Sequence, residues 1–343
     1  MTGAQEAILP PWLEPELERL LALYDAGRLH HALLLTGRSG LGKGQLAQAL
    51  ARALLCEAAE GRRPCGRCRG CRLSRGAPEA AHPDLRAIGP ASGEERGEIV
   101  VDTVRALDEF LHLSPQLGGS RVATIVPCDR LNRAAANSLL KGLEEPPAGV
   151  YLILATSRPG RLPPTLRSRC AVRQLPAPDE AAAKAWLHQR HEEAGAERIH
   201  RALVLHGGMP LAAEAALADR ELEGFEGLVQ QLHRLAAGGD PVKEAEAWAQ
   251  APGTLAEWAG VIVAELIRHR QLGAGRGLLP GELAGRLAAD ASPERLHALL
   301  QRLLEHQQGL EQPLNGRLAA EAVLLDLAEA LVAAGRGRAP SAA

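Results

Sequence analysis

Residues 37–44 read Gly-Arg-Ser-Gly-Leu-Gly-Lys-Gly. A phosphate-binding loop has the form G-x-x-x-x-G-K-[ST]: backbone N–H groups cradle phosphates, the lysine reaches the terminal phosphates, and the hydroxyl holds magnesium. Gly37, Gly42 and Lys43 keep their places, and Gly44 stands where the hydroxyl belongs. Magnesium also needs an acidic residue at the end of a neighbouring strand. The run Arg121–Val126 continues into Pro127-Cys128-Asp129, so Val and Pro occupy the expected acidic places. Asp129 comes late and reads as a turn or helix-capping residue. Two ligands are thus missing from one magnesium site, which argues against hydrolysis. Water could replace a lost hydroxyl, so the residues leave weak nucleotide binding at Lys43 open.

The second group is Cys56, Cys65, Cys68 and Cys71, spaced C-x8-C-x2-C-x2-C. Successive x2 spacings let thiolates converge on a tetrahedral ion. Four of them leave no open position, so the expected metal is structural zinc. Arg62, Arg63, Arg67, Arg69, Arg72 and Arg75 surround the cluster. They either offset the formal charge of about −2 on such a centre or form a contact patch for nucleic acid or an acidic partner. Cys128 and Cys170 stand apart and read as small buried hydrophobes. Pro64-Cys65-Gly66-Arg67-Cys68 matches half of the zinc deaminase signature, but no upstream histidine has Glu two residues on, and the deaminase reading fails.

These residues need elements to hold them. Ala32–Thr36 is a short apolar run ahead of the glycine loop, and Leu46, Leu50 and Leu54 mark one face of a helix starting near Lys43. Residues 84–88, 99–101, 121–126, 150–156 and 171–175 read as further strands. Asp102 is placed as the N-cap of a helix carrying Val104, Leu107 and Leu111. A helix over 134–145 stops at Pro146-Pro147. The runs 121–126 and 150–156 suit strands buried on both faces, so the βαβ order predicts a covered parallel sheet. After Pro178 strand signals end. Helices are expected near 179–194, 197–206, 211–218, 222–237, 253–270, 293–307 and 315–334, with turns at 238–241, 252–253 and 273–282. The expected organisation is an α/β phosphate-loop domain with a metal knob over 1–176, a helical lid over 177–218, a helical oligomerisation domain over 219–335 and a disordered tail over 336–343.

Composition bounds the rest. The chain has 343 residues, enough for two or three domains. It is 46% hydrophobic and only 2% aromatic, so Leu, Ala and Val must fill the cores. A net charge of −2 gives no global attraction to DNA. No apolar run approaches the roughly 18 residues of a membrane helix, and no signal peptide is visible. The expected setting is the cytoplasm, without membrane contact.

Two further stretches carry a resemblance: residues 136–147, Ala-Asn-Ser-Leu-Leu-Lys-Gly-Leu-Glu-Glu-Pro-Pro, and residues 165–170, Thr-Leu-Arg-Ser-Arg-Cys. With His30-His31-Ala32 and the four-cysteine knob, they make residues 12–175 similar to the AAA+ clamp-loader subunits of bacterial DNA polymerase III. Beyond 176 the likeness is only of length and helical character. The resemblance implies a five-subunit ring, formed with delta and tau/gamma subunits, that places a sliding clamp on primed DNA during replication in the nucleoid-associated replisome. It implies an AAA+ sheet, a helical lid and a helical collar. ATP would sit between neighbours, and Arg169 would be an arginine finger reaching the neighbour's nucleotide, where a guanidinium binds phosphate oxygens bidentately. Thr156 or Ser157 would occupy the phosphate-sensing place. Pro210, after Gly207-Gly208-Met209, stands where active subunits carry a lid arginine. Lys141, Glu144 and Glu145 read as solvated or interface charges. These losses point to a non-hydrolysing stator within the polymerase holoenzyme; the alternative is an active tau/gamma-type ATPase subunit.

Overall fold

Ala32–Thr36 forms the interior strand β1 of a parallel sheet in a computed structural model that describes residues 9–58, 63–74, 82–89, 97–117, 119–219, 221–309 and 315–332. The expected tail at 336–343, and Arg62 and Arg75 of the arginine group, lie outside those residues. All five residues of β1 are buried, as a strand covered on both faces requires. The chain falls into two compact units, Met1–Ala182 and Ala183–Ala343.

In the first unit, α1 (Glu14–Asp25) precedes β1, and α2 (Lys43–Leu54), α3 (Arg69–Leu73) and β2 (Leu85–Ile88) follow. Next come α4 (Val101–His112), β3 (Arg121–Ile125), α5 (Arg133–Glu144), β4 (Val150–Thr156), α6 (Pro164–Arg167) and β5 (Ala171–Gln174). The strand order is β2-β3-β4-β1-β5, all parallel. β1 therefore lies between the last two strands of the sequence, and the glycine loop leaves the carboxyl end of the sheet at a topological switch point, where such sheets bind ligands. Leu46 and Leu50 of α2 are fully buried and Leu54 nearly so, each worth about 1.5–3 kcal/mol against exposure. On the other face Leu34, Leu107, Leu139, Leu143 and Leu166 share one core.

Two expectations are corrected. Residues 99–101 form no strand: Ile99 makes a single parallel bridge to Leu131, and α4 begins at Val101. The partner is a loop residue, so no ladder can propagate. Asp102 is not the N-cap either. Val100 takes that place without a side-chain acceptor, while Asp102 lies in the first turn and pairs with Arg105 at 3.1 Å. At α5 a side chain does cap the helix: Asn132 accepts from Ala135 N at 2.9 Å.

The second unit is helical, beginning within α7 (Glu180–Arg190) and continuing with α8 (Ala196–Leu205), α9 (Pro210–Ala218), α10 (Glu221–Ala236), α11 (Pro241–Glu244), α12 (Pro252–Leu272), α13 (Gly281–Asp290), α14 (Pro293–Gly309) and α15 (Gly316–Val332). Its core is mostly Leu and Ala, with an aromatic centre. Trp258 meets Phe225 and Trp248 edge to face at 5.7 and 5.5 Å. Such T-shaped pairs add about 0.5–1.5 kcal/mol beyond burial. α13 was unforeseen, because its start overlaps the Gly/Pro-rich stretch expected to form turns. The described residues hold no helix long and apolar enough to cross a membrane.

Candidate functional site

β1 delivers the chain to the phosphate loop and α2 leaves it. Gly42 is the left-handed N-cap of α2 at φ 98°, a conformation nearly reserved for glycine. Lys43 is almost buried, and its Nζ donates to Arg38 O at 2.7 Å. The ammonium is thus folded back on the loop. Burial lowers its pKa to about 8, with the negative Asp129 opposing part of that fall. A Cβ on Gly44 would meet Val126 Cγ1 at 3.4 Å. The place of the missing hydroxyl therefore borders a methyl group and no acid.

Asp129 does lie in a turn, Cys128–Arg130, as the sequence suggested. That turn carries it back toward the loop, which the sequence did not show. The Thr156 hydroxyl donates to Asp129 Oδ1 at 2.5 Å and accepts from Arg158 N at 2.8 Å. The hydroxyl proton of Thr156 is engaged inside the fold. Ser157 instead lines a cavity of about 630 Å³ with Thr36, Arg38, Arg167 and Ser168. Lys43 and Asp129 do not line it, so it lies beside the phosphate cradle.

The four thiols converge. Cys56, Cys65, Cys68 and Cys71 Sγ atoms all lie within 4.8 Å of one another. Cys56–Cys68 and Cys65–Cys71 are both 3.9 Å apart, and a tetrahedral Zn–S length of about 2.3 Å implies roughly 3.8 Å between sulfurs. The donor set and its spacing fit a four-thiolate metal centre. Backbone N–H groups of Cys65, Cys68 and Cys71 donate to the preceding sulfurs of the cluster at 3.3–3.4 Å, the arrangement that stabilises thiolates. N–H groups of Arg67 and Cys68 draw the Cys65 thiol down to about 6, whereas burial pushes Cys71 up to about 12. α3 packs so closely on the end of α2 that a Cβ on Gly70 would sit 2.3 Å from Leu55 O. Glu57 Oε1 accepts from Gly70 N at 2.9 Å. Arg67, Arg69 and Arg72 are exposed. Arg63 pairs with Asp25 and lies 5.7 Å from the Tyr24 ring centre. Cys128 is buried, and Cys170 donates to Leu166 O at 3.3 Å; neither joins the cluster.

Arg169 follows α6, whose Leu166 is fully buried and anchors the segment. Its Nη1 donates to Thr165 O at 2.9 Å, and Nη2 forms an ion pair with Glu144 at the end of α5. The Arg169 side chain is 35% exposed and that of Glu144 50%. Lys141 and Glu145 are exposed, as expected for solvated charges, but Glu144 is engaged. A second charged pair escaped sequence reasoning. Arg121 and Asp84 are buried at 3.0 Å, and Arg121 heads a run read only as apolar. Pro210 is the first residue of α9, with Met209 as N-cap.

Residues 13–179 match the family described as DNA polymerase III, delta subunit. The chain is 39% identical over 293 residues to the DNA polymerase III subunit delta-prime of Escherichia coli K12, covering 84% of this chain and 86% of that one. It is 35% identical over 254 residues to the delta-prime subunit of Pseudomonas aeruginosa PAO1, covering 71% and 75%. To the tau subunit of E. coli K12 it is 36% identical over 193 residues, covering 56% of this chain and 28% of that one.

Proposed function

The chain belongs to the family of DNA polymerase III delta-prime subunits, a clamp-loader subunit by that kinship, and we propose that it acts there as a non-hydrolysing stator lending Arg169 to a neighbour's ATP. The single observation that carries this reading is the contrast between two sites. The subunit's own cradle has Gly44 against Val126 and a lysine folded onto Arg38. Arg169, by contrast, keeps a partly exposed guanidinium on a buried anchor. A guanidinium placed in trans offsets charge that develops on a transferring phosphoryl group, which is worth about 10³–10⁵ in kcat where measured.

The neighbours are delta and tau/gamma subunits in a five-membered ring that loads the sliding clamp on primed DNA. Gly37, Gly42 and Lys43 are an inherited scaffold for phosphates. Residues 177–218 act as a lid and 219–335 carry ring assembly. The four thiolates hold a zinc ion; when bound, it cross-links the end of α2 to α3 and supplies no open position for chemistry. The three exposed arginines beside it offset the centre's charge.

The test uses reconstituted rings. Arg169→Ala should abolish ATP turnover at the site facing this subunit while leaving ring assembly intact by size exclusion. An unchanged DNA-stimulated ATPase would remove the trans role. The tau/gamma-type alternative, an active ATPase, displaces the stator reading if the purified chain hydrolyses ATP by itself.

A further inference from the structure

Arg169 is already engaged within its own subunit. One acceptor is Thr165 O, on α6, and the other is the Glu144 carboxylate, on the last residue of α5. The carbonyl ends of a helix carry partial negative charge, so a carboxylate there is unfavourable by itself and favours a nearby cation. Pro146-Pro147 end α5 at this point, and Leu143, buried just before Glu144, fixes where the carboxylate emerges. The guanidinium therefore rests between a backbone carbonyl and a carboxylate supplied by two separate elements. Neither group is a phosphate.

We propose that Glu144 is the resting partner of Arg169: it holds the guanidinium on its own subunit, and the neighbour's nucleotide must displace it. This rests on reading Arg169 as a trans-acting finger. A carboxylate and a triphosphate compete for the same fork of N–H donors. An ion pair this exposed shifts an equilibrium by only about two- to five-fold. A charge-assisted, bidentate contact to phosphate in a water-poor interface is stronger, so the phosphate wins once it is in place. Glu144 thus sets how much nucleotide is needed to engage the finger, and it leaves the engaged geometry to Thr165 and the phosphate itself. It is a positioning residue, outside contact with the reacting atoms.

Rings reconstituted with wild-type, Glu144→Gln, Arg169→Ala and doubly substituted subunits separate the possibilities by steady-state ATPase against ATP concentration. The expected result for Glu144→Gln is a KM lowered about two- to five-fold, with kcat held within about twofold. Glu144→Asp, which keeps the charge, should lie nearer the wild type. The double variant should match Arg169→Ala, because Glu144 acts only through that side chain. A Glu144→Gln ring with KM unchanged or raised, or with kcat lost, overturns the resting-partner role. An Arg169→Ala ring equal to wild type overturns the finger reading instead. A Glu144→Gln shift that persists without Arg169 overturns the link between them.

Discussion

Thr156 and Asp129 are joined by a hydrogen bond of 2.5 Å, hydroxyl to carboxylate. The acid that arrives late in the sequence is brought to the carboxyl edge of the sheet, near enough to oppose the fall in the Lys43 pKa. Its oxygen is shared with a side chain from β4, and Val126 occupies the border of the site where Gly44 offers no oxygen. The cradle thus has a lysine and an acid, yet no pair of oxygens facing one magnesium ion.

Gly44→Ser tests how far that deficit extends. A Cβ at this position meets Val126 at 3.4 Å, an ordinary contact, and Gly44 lies inside the first turn of α2. Replacing a helical glycine should hold stability or raise it by up to about 1 kcal/mol. Hydrolysis should stay at background, because the acidic ligand is still absent. The measurements are the melting temperature and the ATPase rate of the purified chain. Turnover well above background in this single variant would mean that Asp129 can leave Thr156 and serve the metal.

The Lys43 ammonium gives a pH dependence with a defined sign. Burial holds its folded pKa near 8, against 10.5 unfolded. Between those values the unfolded chain binds the extra proton, so stability from this group rises with pH. Below about 8 both states are protonated and the burial penalty is present in full. A Lys43→Met variant lacks this term. The melting temperature of wild type relative to the variant should therefore climb from pH 8 to pH 10.5. A flat difference across that range would show that Lys43 is as well solvated when folded as when unfolded.

Much of this architecture is written locally. β1 reads as a short apolar run and β4 as a buried strand because nearly every side chain is apolar, and α2 follows from leucines four apart. The thiol cluster follows from spacing, since two x2 intervals can scarcely avoid bringing sulfurs together. What escaped depends on meetings between distant segments. The return of Asp129 depends on a 3-10 turn after Pro127, and nothing in the letters says that its oxygen meets Thr156. Glu144 reads as a solvated or interface charge because its partner lies on another element beyond β4. Residues 99–101 look like a strand because Ile and Val favour one, but among the described residues Ile99 has a single bridge, to Leu131.

The knob should carry one zinc per chain by metal analysis of freshly reduced protein. Cys65→Ser removes a ligand whose sulfur also accepts the Cys68 N–H at 3.4 Å. Metal content should fall well below one, and protease sites should open between α2 and β2. The sheet should keep its cooperative transition, since its core leucines belong to other elements. Loss of metal together with collapse of the whole sheet unit would make zinc a requirement of the fold rather than of the knob.

The buried pair Arg121–Asp84 should be the least replaceable charge in the first unit. Arg121 Nη1 donates to Phe110 O at 2.9 Å, and Nη2 donates to Ser114 O at 2.5 Å and Asp84 at 3.0 Å. The guanidinium also lies 4.5 Å from the Phe110 ring centre. Asp84 in turn accepts from Gln116 N at 2.8 Å and Leu117 N at 2.9 Å. The two side chains together tie the segment after α4 to the start of β2 and β3. Arg121→Met leaves a buried carboxylate and two carbonyls short of a donor, which should cost about 3–5 kcal/mol. Asp84→Leu should cost a similar amount. Where only the ion pair mattered, the double variant would recover most of the loss. Here Phe110 O, Ser114 O, Gln116 N and Leu117 N would all lose partners, so the double variant should remain well below wild type in urea denaturation. Recovery to within about 1 kcal/mol of wild type would mean that the backbone contacts contribute little and that the charges alone make this site hard to replace.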